Sequence, residues 1–415
     1  MSLPDPRLGL FYALSFGALG LTLPYLAPWL ASRGTEAATV GVVAAAPSFA
    51  TLATAFALGT FADRAADRRD AIVVLAWGAC AAYALLLVVD SAPGIGVAWA
   101  LGGLLTMGAM PIVDGAALDH ARRRGTAWGP VRACGSVGFI VGLTAGGQLF
   151  ERIGPEAFVP AVVGVAAARA LAAHALPRFG HEGRTDGIAP APGPWRGRAS
   201  GWLAGIRRGV RPATAPRVGA PSPTAALLHP GFLAVIAGAA LVNASHAFLY
   251  TFGLLHWTRT GIPESLASLA WTASIVAEVV LLWRFADVAR RVPARACLLF
   301  AAAVAALRWS FTSLDPAFPV LLGLQALHAI TFGLAYAATA SFIARRVDES
   351  VAARAQALAA TLSTAAMATM TLVSGALYEG FGAGGYRAMA GLAALGALLV
   401  ATSYRTDLED RVGAT

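Results

Sequence analysis

The sequence predicts an all-α membrane protein whose twelve transmembrane helices form two bundles of six. Hydrophobic residues make up 57% of its 415 positions and charged residues 13%, which is about half of the charged share of a soluble domain. Twelve apolar stretches each approach the roughly 20 residues that a helix needs to cross the hydrocarbon. One long polar segment, residues 178–228, divides these stretches into six and six.

The apolar stretches follow one another with short polar connections. They lie at residues 8–30, 38–60, 71–89, 94–118, 131–150, 156–177, 229–257, 265–283, 295–313, 317–343, 355–378 and 384–404. The first contains Pro24 and Pro28, is long for a secretory signal and is followed by eleven others. We therefore expect it to be retained as the first transmembrane helix.

The distribution of arginine predicts the topology. All 31 basic residues are Arg, and 25 of them fall in the termini, the linker or the connections after even-numbered stretches. Four fall in the other connections, namely Arg33, Arg152, Arg259 and Arg387. This bias predicts that both termini are cytoplasmic. It also accounts for the net charge of +9 without a nucleic-acid partner.

The cysteines and the short soluble segments argue against other classes of protein. Cys80, Cys134 and Cys297 lie inside or at the ends of apolar stretches without ligand spacing, so neither a disulfide framework nor a metal site is predicted. No nucleotide-binding loop and no nucleophile with a positioned base can be recognised. We expect no cofactor and no enzymatic activity.

The polar segment sets the predicted domain organisation. Residues 1–177 form an N-terminal six-helix bundle, residues 178–228 a cytoplasmic linker, and residues 229–415 a C-terminal six-helix bundle with a short tail. The linker is rich in Pro, Gly and Arg, which is typical of a flexible connection. Its part "SGWLAGIRRGV" could instead lie on the anionic inner leaflet as a basic amphipathic segment.

A repeated motif relates the two halves. "GTFADRAADRRD" (59–70) follows the second stretch and "RFADVARRVPAR" (284–295) follows the eighth. Such internal repeats are typical of transporters. The motif predicts tight cytoplasmic turns in which an aspartate caps a neighbouring helix and the arginines pair with carboxylates. The residues assigned to it are Gly59, Asp63, Arg64, Asp287 and Arg291.

These features resemble the major facilitator superfamily, and the resemblance covers essentially the whole chain. Within it, several segments resemble the phenylpropionate permease branch, a relative of lactose permease and of nucleoside:proton symporters. These segments are "PIVDGAALDHARRRGTAWGPVRACGSVGFIVG" (111–142), "SHAFLY" (245–250) followed by "HW" (256–257), "EVVLLWRF" (278–285), "LRWSF" (307–311) and "LQALHAITFG" (324–333). The resemblance implies proton-coupled uptake by alternating access across the bacterial inner membrane.

Among the ionisable residues inside the predicted spans, five stand out: Asp114, His246, Glu278, Arg308 and His328. A charge at this depth costs roughly 3 kcal/mol, so such residues usually face the bundle interior or a wet cavity. Three C-terminal stretches carry polar or aromatic side chains at spacings of three, four or seven residues, which places them on one helix face. These sets are Gln325 and His328; Asn243, His246 and Tyr250; and Trp271, Ser274 and Glu278. We expect them to line a cavity between the bundles.

The resemblance to lactose permease implies that Glu278, Arg308 and His328 belong to the coupling machinery. This chain departs from that relative because Gln325 and Thr331 stand where it has a Lys and a carboxylate, which makes Glu278 the leading proton site and His328 the second. Glu278 and Arg308 would neutralise each other until an anionic cargo claims Arg308 and Glu278 takes up a proton. Alternatively, Glu278 and Arg308 form a structural ion pair, and the histidines only make hydrogen bonds.

Other residues have structural interpretations. Asp114 and Arg132 are predicted to form an inner-gate or architectural pair. Tyr25 either contacts cargo or lies in the interfacial aromatic belt, and Arg169 is expected to extend towards the cytoplasm without a role. The glycines at four-residue spacing in the fifth stretch, Gly138, Gly142 and Gly146, predict close helix contact.

The sequence therefore favours a proton-coupled symporter of a small organic solute. An aromatic or other carboxylate ranks first, because Arg308 supplies a buried cation while Tyr250, Trp271 and Phe332 supply apolar walls. A symporter or uniporter of nucleosides or sugars is an alternative, since Asn243 and the histidines suit hydroxyl groups. A non-transporting assembly factor with the same fold is a third. The expected partners are the solute, a proton and the lipid bilayer, with a monomer as the active unit.

Overall fold

The computed structural model describes residues 5–126, 128–179 and 225–412. Helices account for nearly all of these residues, and no β-strand occurs among them. The first six α-helices are α1 (Pro6–Ser32), α2 (Ala37–Arg64), α3 (Arg68–Ala84), α4 (Ala92–Arg124), α5 (Trp128–Arg152) and α6 (Phe158–Ala175). The others are α7 (Pro230–Ala244), α8 (Leu254–Arg259), α9 (Glu264–Arg291), α10 (Ala294–Thr312), α11 (Phe318–Ala326), α12 (Ala335–Arg346), α13 (Glu349–Phe381) and α14 (Tyr386–Val412).

Two of the predicted spans are interrupted by π-helical turns. Leu249–Gly253 joins α7 to α8, and Ala329–Leu334 joins α11 to α12. Each interruption inserts extra residues into a helix and changes which side chains share a face. The seventh and tenth predicted stretches are therefore continuous but irregular, a feature that the hydrophobic pattern does not reveal.

Eleven helical stretches of the described chain are long and apolar enough to cross a membrane. The first ten coincide with the first ten predicted stretches. The last, Glu349–Arg405, extends over 57 residues and contains the two remaining stretches as α13 and most of α14. A 3-10 turn at Gly382–Gly385 separates these helices, and Gly382 has a φ of 52°, a backbone conformation that favours glycine.

Contacts between residues divide the described chain into two units. The first comprises residues 5–179 with Tyr250–Thr272, and the second comprises residues 225–249 and 273–412. This division differs from the predicted boundary at residue 229, because α8 and the beginning of α9 pack with the first unit. Most of the predicted linker, residues 180–224, lies outside the described residues.

Glycines allow the closest helix contact in the first unit. A Cβ on Gly142 would lie 2.0 Å from the carbonyl oxygen of Gly17, and one on Gly138 would lie 2.0 Å from that of Ala13. No side chain fits at such distances, so α1 and α5 touch backbone to backbone. The close contact predicted from the glycine spacing is therefore confirmed.

The aspartates of the repeated motif differ in what they contact. Asp67 caps α3 by accepting a hydrogen bond from the Arg69 amide at 2.8 Å. The Asp63 side chain lies outside what the structure describes, and its backbone lies within α2. Asp287 lies inside α9, where its carboxylate accepts from Arg290 on the same helix. Asp287 does not cap the next helix as predicted, because Pro293 precedes α10 and no described side chain caps that helix.

The other motif residues lie at the ends of the helices before each turn. Arg64 is the last residue of α2 and Arg291 the last of α9, and both are exposed. The position of a Cβ on Gly59 would be open space, so this glycine relieves no steric conflict here. A gating role for these residues stays a prediction.

Candidate functional site

A connected set of polar side chains is buried in the second unit around Arg308. Arg308 lies on α10 and is 0% exposed. Its Nη2 donates to Oε1 of Gln325 at 2.8 Å, and its Nη1 donates to Oγ1 of Thr331 at 2.9 Å. The guanidinium also lies over the ring of Trp309, 4.3 Å from the centroid. The cation is therefore held by oxygen acceptors on one side and an aromatic face on the other.

His328 connects Arg308 to the carboxylate of Glu278. Nη1 of Arg308 lies 3.5 Å from Nδ1 of His328, and Nε2 of His328 lies 3.5 Å from Oε2 of Glu278. Because a guanidinium can only donate, Nδ1 is the acceptor of a neutral His328, and Nε2 carries the hydrogen that faces Glu278. The structure thus brings together Glu278, Arg308 and His328 from three predicted spans. A direct Glu278–Arg308 ion pair stays a prediction.

His246 completes this polar cluster from the end of α7. Its Nε2 lies 3.0 Å from Oγ1 of Thr331. Its Nδ1 lies 3.2 Å from the carbonyl oxygen of Val242 and 3.1 Å from that of Asn243. The His246 and His328 rings meet edge to face at 5.1 Å. Both histidines are therefore ordered by specific contacts.

The spacing of residues in the tenth span brings several members of this cluster onto one helix face. Gln325, His328 and Thr331 are three residues apart, so they share a face where α11 passes into the π-helical turn Ala329–Leu334. Gly333 on that turn has no side chain, and a Cβ there would lie 2.9 Å from Cγ of Glu278. The glycine therefore lets the carboxylate on α9 approach the histidine.

A cavity of about 260 Å³ lies beside this cluster within the second unit. Its wall combines aromatic, small apolar and uncharged polar side chains. The lining residues are Ala239, Asn243, Thr331, Phe332, Ala335, Tyr336, Thr339, Ala340, Gln356, Ala359, Ala360 and Ser363. Thr331 belongs to both the cavity wall and the cluster, although it is fully buried. It is thus the residue through which Arg308, to which it is hydrogen-bonded, adjoins the cavity.

Two side-chain amides near the cavity each have one buried polar atom that makes no hydrogen bond within the described chain. Among the described residues, Oδ1 of Asn243 and Nε2 of Gln325 are buried without a hydrogen-bond partner. Ser274 and Arg308 both donate to Oε1 of Gln325, at 3.3 and 2.8 Å, which orients that amide. An unsatisfied buried polar atom costs free energy. Water or a polar ligand would remove that cost.

Tyr250 and Trp271, two of the predicted cargo contacts, lie in the first unit. Their rings are 5.6 Å apart, so the two aromatic side chains lie next to each other. Trp271 is 4% exposed, and its Nε1 has no hydrogen-bond partner among the described residues. Contact of either ring with a cargo stays a prediction.

Tyr25 is a helix-packing residue. It is 0% exposed, its hydroxyl donates to the carbonyl oxygen of Leu143 at 2.8 Å, and its ring lies 4.8 Å from that of Phe150. The ring packs against Gly146 on α5, where a Cβ would lie 2.6 Å from the tyrosine ring. This placement argues against the predicted substrate contact.

Asp114 and Arg132 do not form the predicted ion pair within the described part of the chain. The Tyr12 hydroxyl donates to Asp114 at 2.5 Å. The Arg132 guanidinium lies over the ring of Phe16, 4.1 Å from its centroid. Both residues bind to aromatic side chains of α1, so they connect neighbouring helices through α1.

Arg169 also differs from its prediction. It is 2% exposed and lies 5.9 Å from the ring centroid of Phe11, so it does not extend to the cytoplasmic surface. Side chains of a helix lean towards its N-terminus, which directs Arg169 back along α6 and away from the nearer helix end.

Sequence reasoning missed several contributors to the site. Thr331 was considered only as a position that lacks a carboxylate, although the three-residue spacing from Gln325 and His328 points to it. Trp309 and Ser245 form a hydrogen bond of 2.9 Å that supports Arg308 and His246, and Gln356 reaches the cavity from α13. No charge or spacing marks these three residues.

Comparisons with known proteins agree with this architecture. The MFS_1 like family matches residues 6–387. A probable 3-phenylpropionic acid transporter of Escherichia coli (strain K12) is 27% identical over 402 residues, covering 95% of this chain and 96% of the relative. Maltose permease of Geobacillus stearothermophilus is 29% identical over 392 residues, covering 89% and 86%. The crystal structure of the nucleoside transporter NupG shares the fold with a TM-score of 0.77 at 14% identity, covering 96% and 98%.

Proposed function

The chain belongs to the MFS_1 like family of major facilitator transporters, and we propose that it carries a small aromatic carboxylate together with a proton across a bacterial inner membrane. The family and its relatives make it a multi-pass membrane transporter. The class of cargo, the coupling to a proton and the location in a bacterial inner membrane are what we propose beyond that.

We propose that the chain crosses the membrane twelve times with both termini in the cytoplasm. A continuous helix of 57 residues would be about 85 Å long, against roughly 30 Å of hydrocarbon. The break at Gly382–Gly385 divides this stretch into two helices, each long enough for one crossing. Together with the arginine bias, this supports an even number of crossings.

The observation that carries the cargo proposal is the fully buried guanidinium of Arg308 next to a cavity with aromatic walls. A buried cation in a membrane protein favours an anionic ligand, because two opposite charges at this depth stabilise each other more than in water. Phe332 and Tyr336 in the cavity wall suit an apolar or aromatic body. The relative described as a probable 3-phenylpropionic acid transporter supports the same class of cargo.

Charge balance provides the proposed coupling. The cluster holds the Arg308 cation and the Glu278 carboxylate, joined through His328. An entering carboxylate adds one negative charge, and one proton taken up by the cluster restores the balance. We assign Glu278 as the leading proton acceptor and His328 as the relay. Cargo and proton then favour each other's binding by the same factor.

The test uses the full chain in proteoliposomes and radiolabelled 3-phenylpropionate. Wild-type protein should accumulate the acid when the outside is made acidic. Glu278→Gln should lose accumulation while exchange of preloaded acid remains measurable, and Glu278→Asp should keep part of the accumulation. Accumulation at the wild-type level in Glu278→Gln would remove Glu278 from the coupling step.

A neutral hydroxylated cargo is the second candidate. Thr339, Gln356 and Ser363 line the cavity together with Asn243, and these groups suit sugar or nucleoside hydroxyls. The same vesicles should therefore be tested with labelled maltose and uridine. Uptake of these compounds without uptake of the acid would favour the second candidate, and uptake of none would favour an assembly factor.

A further inference from the structure

We propose that the cavity of the second unit selects an aromatic carboxylate that carries a hydroxyl group on its ring, at the position farthest from the carboxylate. Thr339 and Gln356 bind this hydroxyl and are the specificity-determining residues. The inference rests on the proposed function and names its cargo more closely. It follows from the position and the hydrogen-bonding capacity of side chains that are accessible in the cavity wall.

Two helices that form a hairpin bring Thr339 and Gln356 to the same level of the cavity. Val347 ends α12 and Asp348 caps α13, and helices joined by so short a turn run antiparallel. Thr339 lies eight residues before Val347, and Gln356 lies eight residues after Asp348. Since both residues line the cavity, they form one polar layer on the cavity side of the hairpin.

The other end of the cavity adjoins the buried cation. Arg308 donates to Thr331, and Phe332, the next residue, lines the cavity. Thr339 lies seven residues beyond Phe332, which is about 10 Å along the helix at 1.5 Å per residue. Between them in the sequence, the ring of Tyr336 is 63% exposed and provides an apolar face. An aromatic acid whose carboxylate points towards Arg308 therefore turns the far edge of its ring towards Thr339.

The Thr339 hydroxyl is available as a hydrogen-bond acceptor. Its one hydrogen is donated to the carbonyl oxygen of Ala335 at 2.8 Å, and its oxygen keeps a lone pair for a further bond. A ligand that leaves the bond to Ala335 intact must therefore donate a hydrogen to Thr339. A hydroxyl group meets this requirement, whereas a carboxylate or an ether oxygen does not.

The Gln356 amide supplies the complementary groups. Gln356 is exposed, and within the described part of the chain its amide makes no hydrogen bond. An amide donates through its nitrogen, so Gln356 can donate to the oxygen of a hydroxyl whose hydrogen goes to Thr339. None of the described residues of the cavity wall is charged, which favours a neutral polar group at this end over a second carboxylate.

A ring without the hydroxyl loses hydrogen bonds when it enters this end of the cavity. Water can bind Thr339 and Gln356 in the empty cavity, and an apolar ring edge that displaces it does not replace its bonds. A hydroxyl in the right place does replace them. Sites that hydrogen-bond a substrate hydroxyl therefore reject the analogue that lacks it. We expect a preference of at least about tenfold.

A series of acids tests the inference on the wild-type protein. Thermal unfolding of purified full-length protein in detergent, measured against the concentration of each acid, gives the Kd of that acid. We expect 3-(4-hydroxyphenyl)propionate to bind at least about tenfold more tightly than 3-phenylpropionate. The 2-hydroxy isomer places its hydroxyl beside the acid chain, and 3-(4-methoxyphenyl)propionate has no hydrogen to donate. Neither should bind more tightly than the unsubstituted acid.

Substitutions test the two residues. The preference for the 4-hydroxy acid over the unsubstituted acid should fall to about twofold or less in Gln356→Leu and in Thr339→Val, whereas Thr339→Ser should keep it. Thr361→Leu is the matched control, because Thr361 is an exposed residue of α13 that is not part of the cavity wall. It should keep the wild-type preference. If Gln356→Leu does not fold, Gln356→Ala takes its place.

Each contrary result removes a defined part of the inference. Equal affinity of wild type for the 4-hydroxy and unsubstituted acids would overturn it. An equal gain from the 2-hydroxy isomer would overturn the placement of the hydroxyl, and an equal gain from the methoxy acid would overturn the donation to Thr339. A preference retained in both Gln356→Leu and Thr339→Val would overturn the assignment of these residues. Failure of wild type to bind any acid would instead count against the proposed function.

Discussion

Arg308 in the second unit and Arg169 in the first are both buried inside membrane-spanning helices, at 0% and 2% exposure. Arg308 donates to two side-chain oxygens at 2.8 and 2.9 Å. Nε and Nη2 of Arg169 have no hydrogen-bond partner among the described residues, and its described ring contact is Phe11. Burial of a cation alone therefore does not distinguish a binding site.

The acceptors around the cation make the difference. The two acceptors of Arg308 are the side-chain oxygens of Gln325 and Thr331 in the tenth span. Ser274 on α9 donates to the same Gln325 oxygen. Arg169 lies close to Tyr83 and Cys80, whose side chains give it much less compensation. We interpret Arg308 as functional and Arg169 as a charge that the fold tolerates.

The largest effect is expected from Arg308→Lys. An ammonium group cannot donate in the planar fork that reaches Gln325 and Thr331 together, so uptake of the acid should fall at least about 100-fold, equivalent to about 2.7 kcal/mol. Proteoliposome uptake measures the effect, normalised to the amount of folded protein. Uptake within tenfold of wild type would mean that charge alone suffices and would weaken the contrast with Arg169.

A smaller effect is expected from Gly333→Ala. Its Cβ would lie 2.9 Å from Cγ of Glu278, so the carboxylate must move away from His328. Accumulation should fall by about tenfold, or about 1.4 kcal/mol, while exchange stays within about twofold. Gly323→Ala on α11 is the control because no atom lies within 4 Å of its added Cβ. Equal behaviour of the two variants would contradict the importance of the Glu278 position.

The smallest effect on transport is expected from Arg169→Leu. Burial of a charge carries a desolvation cost of several kcal/mol that few partners of Arg169 offset, so an apolar side chain of similar length should not destabilise the fold. Uptake should stay within about twofold of wild type, and the midpoint of thermal unfolding should be unchanged or higher. A loss of uptake comparable to that of Arg308→Lys would show that Arg169 also has a functional role and would remove the distinction.

Much of the site could be predicted because charge is rare in this chain. Glu278, Arg308, His246 and His328 stand out against apolar neighbours, and helical spacing added Gln325. Spacing could not show that Thr331 joins two of these residues, because a threonine in a membrane helix often bonds only to its own backbone. The sequence left Tyr25 open between cargo contact and the interfacial belt, because only packing shows that a glycine on α5 provides the space that its ring fills.

Hydrophobic length and a low content of charged residues were enough to predict the all-helical membrane architecture and the first ten spans, and the resemblance of the quoted motifs indicated the family. Tertiary structure alone decided the π-helical turns, the division of contacts into two units and the direction of each hydrogen bond around Arg308. The physical reason is that burial of apolar surface depends on composition along the chain. A hydrogen bond depends on the distance and angle between atoms that only the packed helices bring together.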